Sequence, residues 1–79
     1  MELGEVIDTL TELYEDPSLP KNTKKKIEEM ISNLKNDTDV SLKINKCQDV
    51  LEEISNDINL PTFIRTQIWG IASMLENLQ

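Results

Sequence analysis

Apolar residues recur along the chain at spacings of three and four, the pattern of amphipathic α-helices. Four stretches carry this pattern. In chain order, their apolar positions are Leu3, Val6, Ile7, Leu10, Leu13 and Tyr14; Ile27, Met30, Ile31 and Leu34; Ile44, Cys47, Val50, Leu51 and Ile54; and Ile64, Ile68, Ile71, Ala72, Leu75 and Leu78. No stretch alternates apolar and polar residues as a half-buried strand does. The pattern predicts helices near 2–15, 20–36, 41–56 and 61–78, so the chain is expected to be all-α.

The second half of the chain repeats the first at a period of 41 residues. Ten pairs of residues at this offset are identical: Asp8/Asp49, Leu10/Leu51, Glu12/Glu53, Asp16/Asp57, Leu19/Leu60, Pro20/Pro61, Ile27/Ile68, Ser32/Ser73, Leu34/Leu75 and Asn36/Asn77. A fixed period in the forties is typical of a repeated supersecondary unit. We therefore predict a single domain, 1–79, built from two duplicated helical hairpins at about 1–37 and about 38–79.

Each hairpin turns at a short corner, 16–20 in the first unit and 57–61 in the second. The proline that ends each corner suits the first turn of the following helix. Ser18 and Asn59 precede it at equivalent positions, and both residue types accept hydrogen bonds from the free N–H groups at a helix start. The leucine before each proline is expected to fold inward as a plug.

One hairpin cannot bury its apolar face alone, but two hairpins can cover each other. The expected architecture is a four-helix bundle with approximate two-fold symmetry between the units. The alternative is a flatter stack of the two hairpins. This alternative draws on the order of Leu and Asp, Leu-Pro and then Lys24 or Arg65 in each unit, which resembles a HEAT-type helical repeat.

The whole chain also resembles a small archaeal family that is known only by an uncharacterised-protein label. The resemblance is carried by the short acidic chain, the two Leu-Pro corners and the ending 68–76, Ile-Trp-Gly-Ile-Ala-Ser-Met-Leu-Glu. It implies a helical fold and an archaeal origin, and it implies no activity.

Charge narrows the classes of partner. Eight basic residues stand against fifteen acidic ones, giving a net charge of −7. Such a field opposes binding to nucleic acid or to an anionic membrane surface, because that affinity comes mostly from Lys and Arg side chains. The first residues are acidic and lead into an amphipathic stretch, unlike a secretory signal. The single cysteine suits a reducing compartment, so we expect a cytoplasmic protein without membrane association.

The residues that carry chemistry in enzymes are scarce. Histidine is absent, which removes the commonest general base and metal ligand. The acidic pairs Asp8/Glu12 and Asp49/Glu53 lie opposite the apolar stripes and should face water. No glycine-rich phosphate loop is present. We expect no enzymatic activity, no metal and no cofactor.

Two single residues are given structural roles. Cys47 occupies an apolar-stripe position, where a small buried hydrophobe is expected instead of a nucleophile. Arg65 is the sole arginine, and Lys24 is its repeat partner. A structural role near the corner, with Asp57 or Asp16 as the partner, is expected instead of a clamp on a substrate.

A basic cluster begins the second helix: Lys21, Lys24, Lys25 and Lys26. One interpretation is solubility and pairing with Glu28 and Glu29 at helical spacings. The other is a docking patch for an acidic partner or for RNA. The second interpretation makes a nucleic-acid-associated accessory factor the alternative function of the protein.

The positions at which the two units differ are the best functional clue, because packing alone would require similar residue types at equivalent positions of both units. Three polar residues of the first unit, Asn22, Glu29 and Asn33, become Phe63, Gly70 and Met74 in the second. These three lie within about 40° of one another around the last helix. Glu28 becomes Trp69, on a different edge of the same helix.

Aromatic residues and Met are enriched at interface cores, and a mid-helix glycine costs roughly 1 kcal/mol against alanine. Phe63, Trp69, Gly70 and Met74 are therefore the candidate interface. The competing explanation is that the last helix is the most central member of the bundle. The leading function is a small non-enzymatic adaptor that self-associates, as a homodimer for example, or docks a protein partner through this helix.

Overall fold

The computed structural model describes residues 3–78 and contains four α-helices: α1 (Leu3–Tyr14), α2 (Lys21–Leu34), α3 (Val40–Ser55) and α4 (Thr62–Asn77). The described residues form no strand. The prediction of four helices in an all-α chain is confirmed, with boundaries within two residues of those expected. The predicted start of the first helix at residue 2 lies outside the described residues.

The order in which the helices pack distinguishes a closed bundle from a stack. Within residues 3–78, α1 packs beside α2 and α4, and α3 packs beside α2 and α4. No Cα atom of α1 lies within 8 Å of one in α3, and the same holds for α2 and α4. A HEAT-like stack would instead pack α1 on α3 and α2 on α4. The molecule measures 32 × 19 × 18 Å, so its cross-section is nearly square, as four helices in a two-by-two arrangement require. The expected bundle with internal two-fold symmetry is found, and the stack is not.

The core consists of the predicted stripes. Among residues 3–78, sixteen apolar side chains are buried: Val6, Leu10, Leu13, Leu19, Ile27, Met30, Leu34, Ile44, Cys47, Leu51, Ile54, Leu60, Ile64, Ile68, Ile71 and Leu75. They include both corner leucines, as expected. Full burial of one such side chain contributes about 1.5–3 kcal/mol relative to exposure. Neither hairpin could gain this free energy without the other.

The aspartates of the two corners accept the side-chain hydrogen bonds there, in place of Ser18 and Asn59. The Oδ1 atoms of Asp16 and Asp57 accept hydrogen bonds from the backbone N–H groups of Ser18 and Asn59, at 2.9 Å in both corners. The N-cap residues of α2 and α4 are the prolines Pro20 and Pro61, and no side chain caps either helix. The prediction that Ser18 and Asn59 cap these helices was wrong, because the aspartates hold the turn before the helix begins.

Arg65 acts at the second corner, but through another partner. Its Nε and Nη2 atoms both donate to the carbonyl oxygen of Ser55, at 3.3 Å each, near the C-terminal end of α3. The carbonyls at a helix end lack partners within the helix, and a guanidinium group supplies donors to them. The expected structural role is found, while Asp57 as its partner is not.

Among the described residues, two polar side chains are buried that the pattern of apolar residues did not predict to be buried. Thr23 occupies the position of Ile64 in the other unit and is 4% exposed. Lys43 is 8% exposed, and its Nζ donates to the carbonyl oxygen of Leu34 at 3.1 Å. This bond supplies a donor to the last residue of α2 and fixes the start of α3 against the end of α2.

Replacing Lys43 by Met tests the bond to Leu34. The substitution keeps most of the aliphatic stem but leaves the buried carbonyl of Leu34 without this donor, so we expect about 1–3 kcal/mol less free energy of unfolding. Chemical denaturation measures the loss. Lys46→Met, at an exposed position of the same helix, is the matched control and should change stability by less than about 0.5 kcal/mol. Equal effects of the two substitutions would contradict the role of Lys43.

Candidate interaction surface on α4

Most of the solvent-facing surface of α4 carries no charge. From the start of the helix to Leu75, its exposed residues are Thr62, Phe63, Thr66, Gln67, Trp69, Gly70 and Ser73. The phenylalanine and tryptophan side chains are 51% and 58% exposed. We call these seven residues the outer face of α4. The other large apolar side chains that are exposed within residues 3–78, Val40, Leu42 and Ile58, are aliphatic and lie in the first turn of α3 and in the second corner.

Gly70 has no role in packing within the chain. A Cβ atom built at this position would meet nothing within 4 Å. No other helix of the bundle therefore approaches Gly70 closely enough to require a glycine. The exposure of Phe63 and Gly70 also excludes the view that this side of α4 is the centre of the bundle. Met74, in contrast, is half-buried and packs against the core.

Trp69 has a partial structural explanation. Its counterpart in the first unit is Glu28, whose Oε2 accepts a hydrogen bond from the Tyr14 hydroxyl at 3.1 Å. This bond raises the pKa of Tyr14. At the position of Tyr14 the second unit has Ser55, which lines the shallow α3–α4 groove together with Trp69. The first unit therefore has a large ring on the first helix of its hairpin, and the second unit has one on the second helix. More than half of the tryptophan surface remains exposed.

The two-fold symmetry creates a pair of equivalent grooves, one between α2 and α3 and the other between α1 and α4. An ion pair crosses the α2–α3 groove, where Lys26 Nζ lies 2.7 Å from Glu53 Oε1. Glu29 and Asn33 also line this groove, whose volume is about 350 Å³. Charged and polar side chains therefore line and cross it.

The α1–α4 groove has a volume of about 470 Å³ and is less polar on its α4 side. Gly70 and Met74 stand where the other groove has Glu29 and Asn33, and Gln67 stands where it has Lys26. Glu12, the counterpart of Glu53, consequently has no ion-pair partner within residues 3–78. Sequence reasoning treated Glu12 only as a solvated acid. Glu12 differs from its counterpart only because Glu53 is paired with Lys26. That pairing could not be predicted from the sequence, since it depends on the register between α2 and α3.

A second acidic residue, Asp16, lines the same groove near the corner. The Ser18 hydroxyl and the Ser18 backbone N–H both donate to its Oδ1 atom and lower the pKa of this carboxyl group. Asp16 therefore stays ionised at neutral pH. The groove combines an apolar floor, formed by Leu13, Ile71 and Met74, with a negatively charged α1 side.

The basic cluster of α2 is partly used within the chain. The ammonium group of Lys24 lies 5.2 Å from the centroid of the Tyr14 ring, and Lys26 pairs with Glu53. Lys21 and Lys25 are exposed. The expected pairing of the lysines with Glu28 and Glu29 is not seen among the described residues; Lys24 and Lys26 instead reach side chains of α1 and α3.

The residues considered for chemistry lie as expected. Cys47 is 1% exposed, and burial raises the pKa of its thiol to about 11, so the thiol stays protonated at neutral pH. The pairs Asp8/Glu12 and Asp49/Glu53 are exposed. Within residues 3–78, no group of three or more Cys, Asp or Glu side chains is arranged to hold a metal ion.

None of the helices described here has both the length and the apolar character needed to cross a membrane.

Known proteins resemble the chain over almost its full length. The model of the uncharacterised protein family UPF0147 matches residues 1–78. A UPF0147 protein of Archaeoglobus fulgidus is 38% identical over 96% of this chain and 87% of its own length. One from Sulfurisphaera tokodaii is 34% identical over 98% of this chain and 88% of its own length.

The fold is also found in a solved structure. The crystal structure of a protein from the same family, from Thermoplasma acidophilum, superposes with a TM-score of 0.92 at 32% identity, covering 96% of this chain and 91% of that one. The sequence match and the shared four-helix fold agree, and the chain belongs to the UPF0147 family.

Proposed function

We propose that the protein works by binding another polypeptide, either a second copy or a different protein, through the outer face of α4, and that it catalyses no reaction. The observation that carries this proposal is the exposure of Phe63 and Trp69 on a helix face without charged residues. The cores of protein interfaces are enriched in aromatic residues and depleted of charged ones.

The charge distribution supports this surface over the others. The exposed residues of α2, which occupies the equivalent place in the first unit, include Lys21, Lys25, Glu28 and Glu29. A second acidic chain that approached most other faces would bring like charges together, which costs free energy. At the outer face of α4 it would meet uncharged side chains.

Nucleic-acid binding through the lysines of α2 is less well supported. Lys24 and Lys26 are engaged with Tyr14 and Glu53. Of the four lysines in the cluster, Lys21 and Lys25 are left to neutralise phosphates, and they lie on a chain of net charge −7.

The first test replaces Phe63 by Asn and Trp69 by Glu, the residues of the first unit at these positions. If the partner is a second copy, the wild type should have twice the 9.1 kDa monomer mass in light scattering coupled to size-exclusion chromatography. Both variants should then shift toward the monomer, because each removes an aromatic contact from the interface. Asn22→Glu, at the exposed position of α2 that corresponds to Phe63, is the control and should leave the mass unchanged.

If the partner is a different protein, the wild type is a monomer in this experiment. A photo-crosslinking residue at position 69 should then give a discrete adduct in the native extract, and the same residue at position 25 should not. A monomeric wild type without such an adduct would contradict the proposed function.

The second test replaces Gly70 by Ala. A mid-helix glycine costs about 1 kcal/mol against alanine, and the added Cβ has free space, so the free energy of unfolding should rise by up to that amount. Gly4→Ala, in the first turn of α1, should give a smaller gain, and chemical denaturation compares the two. Destabilisation by Gly70→Ala would show that the glycine is needed for packing within the bundle.

A further inference from the structure

We propose that the α1–α4 groove receives a basic amphipathic helix of another protein, with a Lys or Arg side chain at Glu12 and an apolar side chain resting over Gly70. The inference goes beyond the proposed function. The groove adjoins the outer face of α4 and shares Gln67 and Gly70 with it, but Phe63 and Trp69 do not line it, so it is a second surface with a partner of its own.

The first argument is the missing cation. In the α2–α3 groove, Lys26 on one helix neutralises Glu53 on the other at 2.7 Å. The two-fold symmetry places Glu12 where Glu53 stands, but it places the neutral Gln67 where Lys26 stands. Glu12 therefore lacks the cation that Glu53 has across the other groove. A cation from outside the chain would restore the charge pair that the other groove already contains.

The second argument is the shape and polarity of the groove. Gly70 and Met74 replace Glu29 and Asn33, so a charged and a polar side chain are exchanged for an open space and a thioether. Leu13 and Ile71 complete the apolar floor. Met is an adaptable contact for apolar side chains, and a glycine on a helix surface allows another chain to approach its backbone closely. The groove therefore fits an apolar anchor on the same partner helix that supplies the cation.

The third argument concerns the source of the helix. The cation-rich helix of a second copy is α2, whose exposed residues are Lys21, Asn22, Lys25, Glu28, Glu29 and Ser32. It presents no exposed apolar side chain for the floor of the groove. Its own acidic residues would also face the carboxylates of Glu12 and Asp16. A helix from a different, basic protein can supply both an apolar side chain for the groove floor and a cation for the carboxylates.

The probe for this proposal is a fluorescein-labelled peptide of about 14 residues, composed of Leu and Lys in the order that forms an amphipathic helix. A peptide of the same composition, scrambled so that it has no apolar stripe, reports attraction due to net charge alone. Fluorescence anisotropy gives the two dissociation constants. We expect the amphipathic peptide to bind the wild type at least about tenfold more tightly.

Two substitutions in the groove separate its shape from its charge. Gly70→Glu restores the residue of the first unit and fills the groove. It should weaken binding by about tenfold or more, although its added negative charge would by itself strengthen attraction to a basic peptide. Glu12→Gln removes the proposed counter-charge, and because Glu12 is exposed it should weaken binding by about threefold. Circular dichroism verifies that both variants remain helical.

Matched controls carry the same charge changes elsewhere. Ser73→Glu adds a negative charge on the part of the outer face of α4 that does not line the groove, so it should not weaken binding. Asp49→Asn removes an exposed acid from α3 and should change binding less than Glu12→Gln. Trp69, the sole tryptophan, faces α3 and not the groove, so its fluorescence emission should stay unchanged when the peptide binds.

Three results would overturn the inference. Equal affinity for the scrambled peptide would mean that only net charge is recognised. Unchanged or tighter binding by Gly70→Glu would place the peptide outside the groove. A shift of Trp69 emission, with loss of binding in Trp69→Glu and Ser73→Glu, would place the peptide on the part of the outer face of α4 that lies outside the groove. In that last case the groove inference fails while the proposed function of α4 stands.

Discussion

Each hairpin has an apolar face that only the other hairpin covers, and this mutual burial is the constraint on which the rest of the structure depends. The sixteen buried apolar side chains come from all four helices and both corners, and they form one continuous core. Because every helix must turn its stripe to this core, α1 packs on α4 and α2 on α3. That order closes the bundle, and it creates two equivalent grooves on opposite sides of the molecule.

The sequence predicted the parts of the structure that depend on helical periodicity. The spacing of apolar residues located the four helices and the residues of the core, and the repeat identified the symmetry. Periodicity determines which side of a helix is buried, but it does not determine how far one helix slides along its neighbour. For this reason the pairing of Lys26 with Glu53 and the bond from Lys43 to Leu34 were not predicted. Arg65 was assigned to the correct corner and to the wrong acceptor for the same reason.

The candidate surface was predicted in part. Phe63 and Trp69 were selected by comparison of the two units, and both are exposed. The difference between Glu12 and Glu53 could not be seen in the sequence, because it depends on which side chain lies across the groove from each of them. Because the chain is duplicated, each exposed position of one unit can be compared with the equivalent position of the other. The packing constraints of the two units are nearly equal, so exposed positions that differ between them point to something other than folding. In the second unit, Phe63, Trp69 and Gly70 are exposed positions of this kind.

The central claim is therefore that these three residues of α4 are kept for binding and are not needed for the stability of the bundle. The most direct test is the free energy of unfolding of the triple variant Phe63→Asn, Trp69→Glu, Gly70→Glu, which restores the residues of the first unit. Chemical denaturation should give a value within about 1 kcal/mol of the wild type, because surface substitutions have small effects and removing the mid-helix glycine offsets part of the loss. Leu10→Ala, in the core, provides the scale, with an expected loss of about 2–5 kcal/mol. A loss of that size in the triple variant would contradict the claim.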